Sequence, residues 1–481
     1  MPSPYSPKTL SWSALAAFAC LGGVAAFSGD IDQPFLQDVQ DEFVIGETFP
    51  DRTSESEHVE NIAAIGVTDT GDVVAAVTTH LTNVLLAEYD GERWTLARRL
   101  LDNVTKTPTH GATAQKSWRV GHGDTDSLYV AAALTPDGKQ LVATEKGAVY
   151  FDKQSIFTTQ ERIGSVAANA SGAIAIGTAE ALWFRADASA EFARLYPHAG
   201  DYSWAPRNVG AVTFESGGNL WFGSDQGAGM RDVATGDWVL YTGAEGLPYN
   251  RFTCAAAGPN GEVWFGTERG ALRIENGKWA YRASLRWLPD DHVNDVAVDR
   301  DGTAWIATPK GISRIKRRAM TLAEKEEYFQ EQVETRHNRD GFTTDWQLTK
   351  RGDVSTAVPK ITDNDGEYTS MYGSAMALKF AVTGDAKAKK LAVRSFEACK
   401  SLSDVVPDTM EGFVARVKIP IDWHEPVNEQ YGPEYNAAYR ADDPFWKLIT
   451  PRFVKSEDGK YLWKNDTSSD ELSGHYFFYG I

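Results

Sequence analysis

The chain has 481 residues, 42% of them hydrophobic and 11% aromatic, a composition that builds packed cores and excludes wholesale disorder. Acidic residues outnumber basic ones 66 to 48, for a formal net charge of −18. The only basic run, Lys316-Arg317-Arg318, is short, so polyphosphate is repelled and nucleic acid is excluded as a partner. The length accommodates two domains.

The first 26 residues hold one cation, Lys8, no acid, and an apolar stretch from Leu10 to Val24 that ends in Val24-Ala25-Ala26. This reads as a signal peptide over 1–26, and hence as a secreted or periplasmic protein. The apolar stretch is shorter than the ~20 residues that cross a bilayer, so an uncleaved anchor is the second reading and no membrane span is expected in the mature chain. Beyond this leader Cys254 and Cys399 are the only thiols. Two cysteines do not make a disulfide scaffold, and they are expected to be buried and free, with an interdomain bridge as the lesser reading. Sequons at Asn103, Asn169 and Asn465 matter only in a eukaryotic secretory pathway.

From about residue 61 to 317 the chain repeats itself. Three copies are clear: Val209 to Gly227 with Trp221, Phe252 to Gly270 with Trp264, and Asn294 to Gly311 with Trp305. Each predicts an alternating strand, a glycine hairpin turn, a strand with an inward Trp, and a tight Gly turn into a third strand. Outer strands end at Trp238-Val-Leu-Tyr241 and Trp279-Ala-Tyr281, which makes four-stranded blades. Weaker copies at Asp69–Val77, Thr135–Tyr150 and Ala167–Phe184 bring the blades to six, and the gap between Gly71 and Gly138 has room for a seventh. The last copy runs out of strands near Ile315, so a strand from the 27–60 segment, at Phe43–Phe49, is expected to close the ring. The pattern Gly-x-Leu/Val-Trp-Phe/Ile-Gly-Thr-x-x-Gly resembles the two-component regulator propeller repeat. That resemblance implies a ligand-sensing propeller, although no membrane helix or kinase module follows it here.

At Met320 the period changes to that of helices. Thr321-Leu-Ala-Glu324 fits a capping box, with Leu322, Phe329 and Val333 on one predicted face. A second helix follows Asp363-Asn-Asp365-Gly-Glu367, carries Met371, Tyr372, Ala375, Met376 and Leu378, and stops at Thr383-Gly384-Asp385. The third starts at Ala386 with Leu391, Ser395, Cys399 and Leu402 on one face. The run from Tyr368 to Asp385, with Gly412-Phe-Val-Ala-Arg416 after it, resembles (α/α) toroid enzymes such as unsaturated glucuronyl hydrolases and heparinase-like lyases. The expected fold is thus a multidomain chain: an all-β propeller of six or seven four-stranded blades, then an all-α, partial (α/α)-toroid-like domain over 318–481. The remaining length is about half of a full toroid, which raises the expectation of a truncated form.

Three clusters could carry chemistry, each also explicable by helix capping and the helix dipole. Asp363, Asp365 and Glu367 offer a general acid or base, or calcium ligands. Asp466, Ser468, Asp470, Glu471 and His475 form the second cluster, with Ser468 and Glu471 in capping-box spacing. Two acidic helix starts facing one cleft would supply acid and base for glycoside hydrolysis. In the third, Arg336 or Arg339 binds a uronate carboxylate while His337, His475 or Tyr476 takes the C5 proton in β-elimination. Arg416 and Trp423 complete the substrate contacts, and Trp204, Trp287 and Trp423 are read as loop aromatics that stack on sugar rings. His122, His198 and His292 lack metal-ligand spacing, and no metal or cofactor is expected. Two functions remain: a secreted carbohydrate-active protein that binds an acidic polysaccharide, with cleavage by a lyase or hydrolase left open, or a non-enzymatic ligand-binding or sensor propeller acting as an interaction scaffold, with a protein partner on the propeller face.

Overall fold

The computed structural model describes residues 33–45, 59–67, 71–79, 84–89, 91, 94–97, 129–134, 139–350 and 354–481. These form two compact units, Phe35–Ala319 and Met320–Ile481. The leader-like segment, Asn103 and His122 lie outside the described residues.

Alternating apolar residues in the first unit form six four-stranded antiparallel sheets among the described residues. Blade 1 runs from Val59 to Ala97, blade 2 from Tyr129 to Thr158, blade 3 from Ile163 to Leu195, blade 4 from Ala211 to Tyr241 and blade 5 from Phe252 to Arg282. Blade 6 takes Asp295–Val298, Ala304–Thr308 and Gly311–Met320, and its outermost strand is Phe35–Ile45. The innermost strands neighbour one another in the order of blades 2, 3, 4, 5, 6 and 1. Residues 98–128, where a seventh blade would fall, lie outside the described set. The closing strand begins eight residues earlier than the sequence pattern predicts, and the third strand of blade 6 continues past Ile315 to Met320.

The three repeat tryptophans are buried, at 6%, 0% and 3% exposure for Trp221, Trp264 and Trp305. In blades 5 and 6 each is paired across the sheet with an arginine of the third strand, Trp264 with Arg273 and Trp305 with Arg314, whose guanidinium lies over the indole. Buried indole N–H groups ordinarily find an acceptor. Trp221 donates to Glu215 at 2.9 Å and Trp305 to Asp299 at 3.1 Å. Blade 5 has Gly258 at the equivalent position, and the space is filled by the buried Glu262, four residues on. A Cβ on Gly258 would sit 2.2 Å from the Glu262 carboxylate, so the glycine is what admits it. The Trp264 indole N–H has no hydrogen-bond partner among the described residues, and the guanidinium over its ring is its polar contact. Gly227 and Gly311 take φ of 146° and 151° at the tight turns, and a Cβ on Gly227 would meet the Tyr241 carbonyl at 2.2 Å.

Polar side chains near the start of the innermost strands of blades 3, 5 and 6 stitch blades together. Ser165 accepts from the Val212 N–H, and Thr253 donates to the Val293 carbonyl. Asp295, fully buried, accepts from the Ile65 N–H and joins blade 6 to blade 1. The outer seam is held by Asp38 of the closing strand. It is 4% exposed and ion-paired with Arg273 at 3.2 Å, with Arg282, and with Arg317 at 3.9 Å. Glu275 holds Arg273 and Arg317 from the other side, at 3.1 and 2.7 Å. The register of the closing strand follows from this carboxylate, because a slip of one residue would turn Asp38 away from three buried cations.

The second unit is not all-α. Among its described residues, five helices, α1 (Leu322–Arg336), α2 (Asp365–Thr383), α3 (Ala386–Asp404), α4 (Pro433–Asp442) and α5 (Ser469–Tyr479), accompany two small hairpins and a three-stranded sheet of Lys418–Pro420, Tyr461–Lys464 and Phe453–Lys455. The sheet buries Ile419, Phe453 and Trp463, aromatic and β-branched residues in short runs that suit strands. The Thr321–Glu324 capping box forms as expected, and α2 ends at Gly384 with φ 71°. Leu391, Ser395, Cys399 and Leu402 are buried on α3. On α1 the expected apolar face is outward: Leu322 and Phe329 are 48% and 42% exposed, and the buried residue of this helix is Gln330. On α2, Met371 and Leu378 are likewise exposed, and the buried face is small and polar: Gly366, Thr369, Ser370, Gly373 and Ser374, with Met376. That face lets α5 approach closely. A Cβ on Gly373 would lie 2.3 Å from Phe478, and one on Gly474 would lie 2.5 Å from the Ser370 hydroxyl. Both cysteines are buried and free.

Removing one partner from a buried, multiply paired charge cluster costs about 3 kcal/mol or more. Asp38→Ala is therefore expected to lower the unfolding free energy measured in urea by an amount of that order.

Candidate functional site

The acidic starts of α2 and α5 meet, as the sequence reading requires, but they meet through cations. Asp363 pairs with Lys464, which is only 2% exposed and also lies 3.7 Å from Asp466. Asp466 in turn holds Arg452. Arg416 donates through Nε to the Asp363 carbonyl at 2.8 Å and stands 3.7 Å from its carboxylate. The result is a chain of alternating charges, Arg416–Asp363–Lys464–Asp466–Arg452, in place of two free carboxyls across a cleft. Arg452 is stacked on Trp446 at 4.1 Å and donates to the Lys447 carbonyl.

Asp365 and Arg339 face each other. Asp365 has no exposed surface; it accepts from Arg339 at 2.7 Å, from the Thr344 hydroxyl at 2.5 Å and from the Thr362 N–H at 3.2 Å. Burial pushes its carboxyl upward, and the Arg339 charge opposes that shift. Arg339 also donates to the Lys360 carbonyl and lies over the Trp423 ring. These groups, read from sequence as a catalytic acid and a uronate-binding arginine, are turned towards one another. His337 caps α1, and its Nδ1 donates to the Thr344 carbonyl at 3.2 Å, which fixes the orientation of the ring. Arg336, Asp470 and Tyr476 are exposed, and Asp470 is held below the usual carboxylate range by the Ser468 hydroxyl. Ser468 and Glu471 do not form the expected capping box, since Ser468 bonds Asp470 instead.

Glu471 caps a different helix. It reaches across to α2, where its Oε2 accepts from the Glu367 N–H at 3.0 Å, a carboxyl at the positive end of that helix. It is 2% exposed, and burial raises its pKa to about 8. His475, one turn later and 1% exposed, is pushed down by burial and bonds the Tyr479 hydroxyl at 3.0 Å through Nδ1. Among the described residues, Glu471 Oε1 and His475 Nε2 are buried with no hydrogen-bond partner. Both side chains border Gly366: a Cβ there would lie 2.6 Å from Glu471 Oε2 and 2.7 Å from His475 Nε2. Cys399 closes the cluster from α3, with its Sγ 3.8 Å from the Gly366 carbonyl and its pKa raised to about 12 by burial. Burial thus disfavours the charged form of both groups, the carboxyl of Glu471 and the imidazole of His475. Sequence reading misses Glu471 as the key acid and Lys464 as its neighbours' counter-ion. The one available signal is the i, i+4 spacing of Glu471 and His475. Among the described residues no group of metal-ligating side chains comes together.

The propeller offers exposed charge at one end. There the turn residues of blades 3, 4 and 5 donate backbone N–H groups to the carbonyls of Arg162, Arg207 and Arg251, which places an exposed arginine at corresponding points of three successive blades. Arg207 lies 3.8 Å from Glu180 and Arg251 3.5 Å from Asp225, with 67% and 57% side-chain exposure for the arginines. Ion pairs this long and this wet contribute little to stability. The aromatics expected in loops do not join them: Trp204 is 9% exposed and packs on Phe222 and Gly227, while Trp287 and Trp423 are half-buried beneath Arg282 and Arg339.

The Glu471–His475 pair makes stability pH-dependent with a defined sign. An acid whose folded pKa is raised stabilises the fold at low pH, and that contribution fades as pH rises from its ordinary 4.5 through about 8. The depressed histidine acts oppositely, but only below its ordinary 6.5. Between pH 6.5 and 8 only the carboxyl of this pair contributes, so its share of the urea midpoint should fall across that range and Glu471→Gln should flatten the slope.

Residues 288–310, the first hairpin of blade 6 and the loop before it, match the two component regulator propeller. No curated protein matches the chain. Solved structures that are similar include the extracellular domain of a hybrid two component system from B. thetaiotaomicron, at 13% identity and a TM-score of 0.41 over 58% of this chain and 40% of that one. The chain thus spans about two fifths of that domain's length. Others are a catalytically inactive virginiamycin B lyase from Staphylococcus aureus with Quinupristin, at 13% identity and a TM-score of 0.41 over 59% and 99% of the chains, and PorZ, a surface component of the type-IX secretion system of Porphyromonas gingivalis, at 14% identity and 0.39 over 53% and 46%. The blade at 288–310 is similar in sequence to the two component regulator propeller; the architecture rests on the six sheets themselves.

Proposed function

We propose that this chain is a non-enzymatic ligand-binding or sensor module, secreted or periplasmic, whose propeller end recognises an anionic ligand such as a uronate-containing polysaccharide. The observation that carries this reading is the row of Arg162, Arg207 and Arg251 on three consecutive blades. Arg207 and Arg251 are exposed and only loosely paired, so they remain available for the planar, bidentate recognition of carboxylates that guanidinium groups provide. Glu180 and Asp225 stand at the same rim, so an anionic ligand competes with them for the guanidinium groups, while the more distant part of the net charge of −18 is screened beyond a Debye length. A cleaving enzyme finds less support. Asp365, Asp466, Glu471 and His475 are all buried, and Asp365 and Asp466 are already taken up by Arg339 and Arg452.

Affinity electrophoresis through gels cast with polygalacturonate or alginate tests the proposal, alongside assays for unsaturated uronates and new reducing ends. Retardation of the full chain without product is expected, weakening as salt is raised and falling roughly tenfold in Arg207→Glu/Arg251→Glu. Product that disappears in Glu471→Gln or His475→Ala would instead establish a catalytic helical unit, and equal mobility in all gels would remove the polyuronate ligand.

A further inference from the structure

We infer that the second unit self-associates through one apolar face of α1 and α2, two copies forming a four-helix bundle. The two helices run antiparallel: Lys379 near the end of α2 bonds Glu327 and Gln330 of α1 at 3.0 and 2.8 Å, while Tyr372, earlier on α2, bonds Glu334 at 2.7 Å. Glu334 is also held by Arg394 of α3, so one flank of α1 is turned to α3. By the 3.6-residue helical turn, Leu322 and Phe329 fall on the opposite flank of α1, about a quarter turn from Gln330, which bonds α2.

The outer face of α2 is apolar. Met371, Leu378 and Val382 are 59%, 49% and 78% exposed, and with Ala375 they fall at steps of four, three and four, the seam spacing of packed antiparallel helices. From Tyr368 to Thr383 the one charged residue of α2 is Lys379, and a helix so poor in charge is one that is covered on all sides. On α2 three directions are taken by α1, α3 and α5, and the fourth is this seam. An apolar patch shared by two helices is a larger feature than singly exposed side chains and marks an interaction surface.

Charge selects a second copy as the occupant. The rim on the α1 side carries the exposed cation Arg336, and the α2 rim carries the acid Glu367. The C-terminus of α1 lies beside the N-terminus of α2. A two-fold axis parallel to the helices therefore sets α1 against α2 of the second copy, antiparallel, and brings Arg336 to Glu367, a pair that occurs twice. This is an isologous contact, closed at two copies. Up-down helix packing of this kind is the ordinary geometry of four-helix bundles.

Sedimentation equilibrium on the full chain tests the inference. A concentration-dependent mass reaching twice the monomer is expected. Leu378→Glu and Val382→Glu, at exposed positions and so with unchanged far-ultraviolet spectra and urea midpoints, should raise the dissociation constant at least about tenfold. Arg336→Glu should weaken association and Arg336→Glu/Glu367→Arg should restore it. A monomer at every soluble concentration, or a dimer indifferent to the seam substitutions, overturns the inference; a dimer weakened by the seam changes but not rescued by the charge swap overturns the proposed pairing.

Discussion

Each blade of the propeller has two apolar faces that only its neighbours can cover, so every blade depends on the blades beside it. Between blades 5 and 6 the outer contact is the burial of Asp38 between Arg273, Arg282 and Arg317. Three cations surround one carboxylate in a nearly dry seam, with Glu275 as a second acid. Such a cluster is tolerable only with every partner in place. The closing strand is thereby held at one register by charge, while the inner seam is held by the hydrogen bonds of Asn294 and Asp295.

The helical unit solves a different packing problem. Glycine and serine on the buried side of α2 allow α5 to lie close beside it, and the proximity brings a helix N-terminus, a carboxyl and an imidazole into one interior. Polar groups in such a space are strongly coupled to protonation. The outward face of α2 is apolar for the complementary reason that the small residues face inward. Reversing the usual amphipathic pattern makes the helix look like a core helix in sequence while leaving its largest side chains at the surface.

This reversal marks where sequence reading reaches its limit. The repeat of Trp221, Trp264 and Trp305, the hairpin glycines, the Thr321–Glu324 cap and the stop at Gly384 are legible because each is a local rule with a fixed spacing. Alternation puts the closing strand near its place but late, since it does not reveal that Asp38 needs three arginines, the nearest of them 235 residues away. In the helical unit, periodicity assigns the apolar residues of α1 and α2 to a core, because it cannot tell an inward stripe from an outward one. Spacing puts Glu471 in a local capping box, but its partner is the Glu367 N–H, 104 residues distant in sequence. Asp363, Asp466, Arg339 and Arg416 stand out in sequence as charges at helix ends; that they neutralise one another and their neighbours is a property of the tertiary fold, which no spacing carries.

The relocation of an acid from position 258 to 262 in blade 5 bears on how these repeats diverge. Blades 4 and 6 hold their acid at the end of the first strand, where it receives the indole N–H. Blade 5 holds it at the start of the second, beside a glycine that makes the room, and its indole is left with the guanidinium alone. Neither half of that exchange is tolerable alone, for one leaves a hole and the other a collision. The two positions are therefore coupled, and a substitution at either one can be judged only with the residue at the other in view.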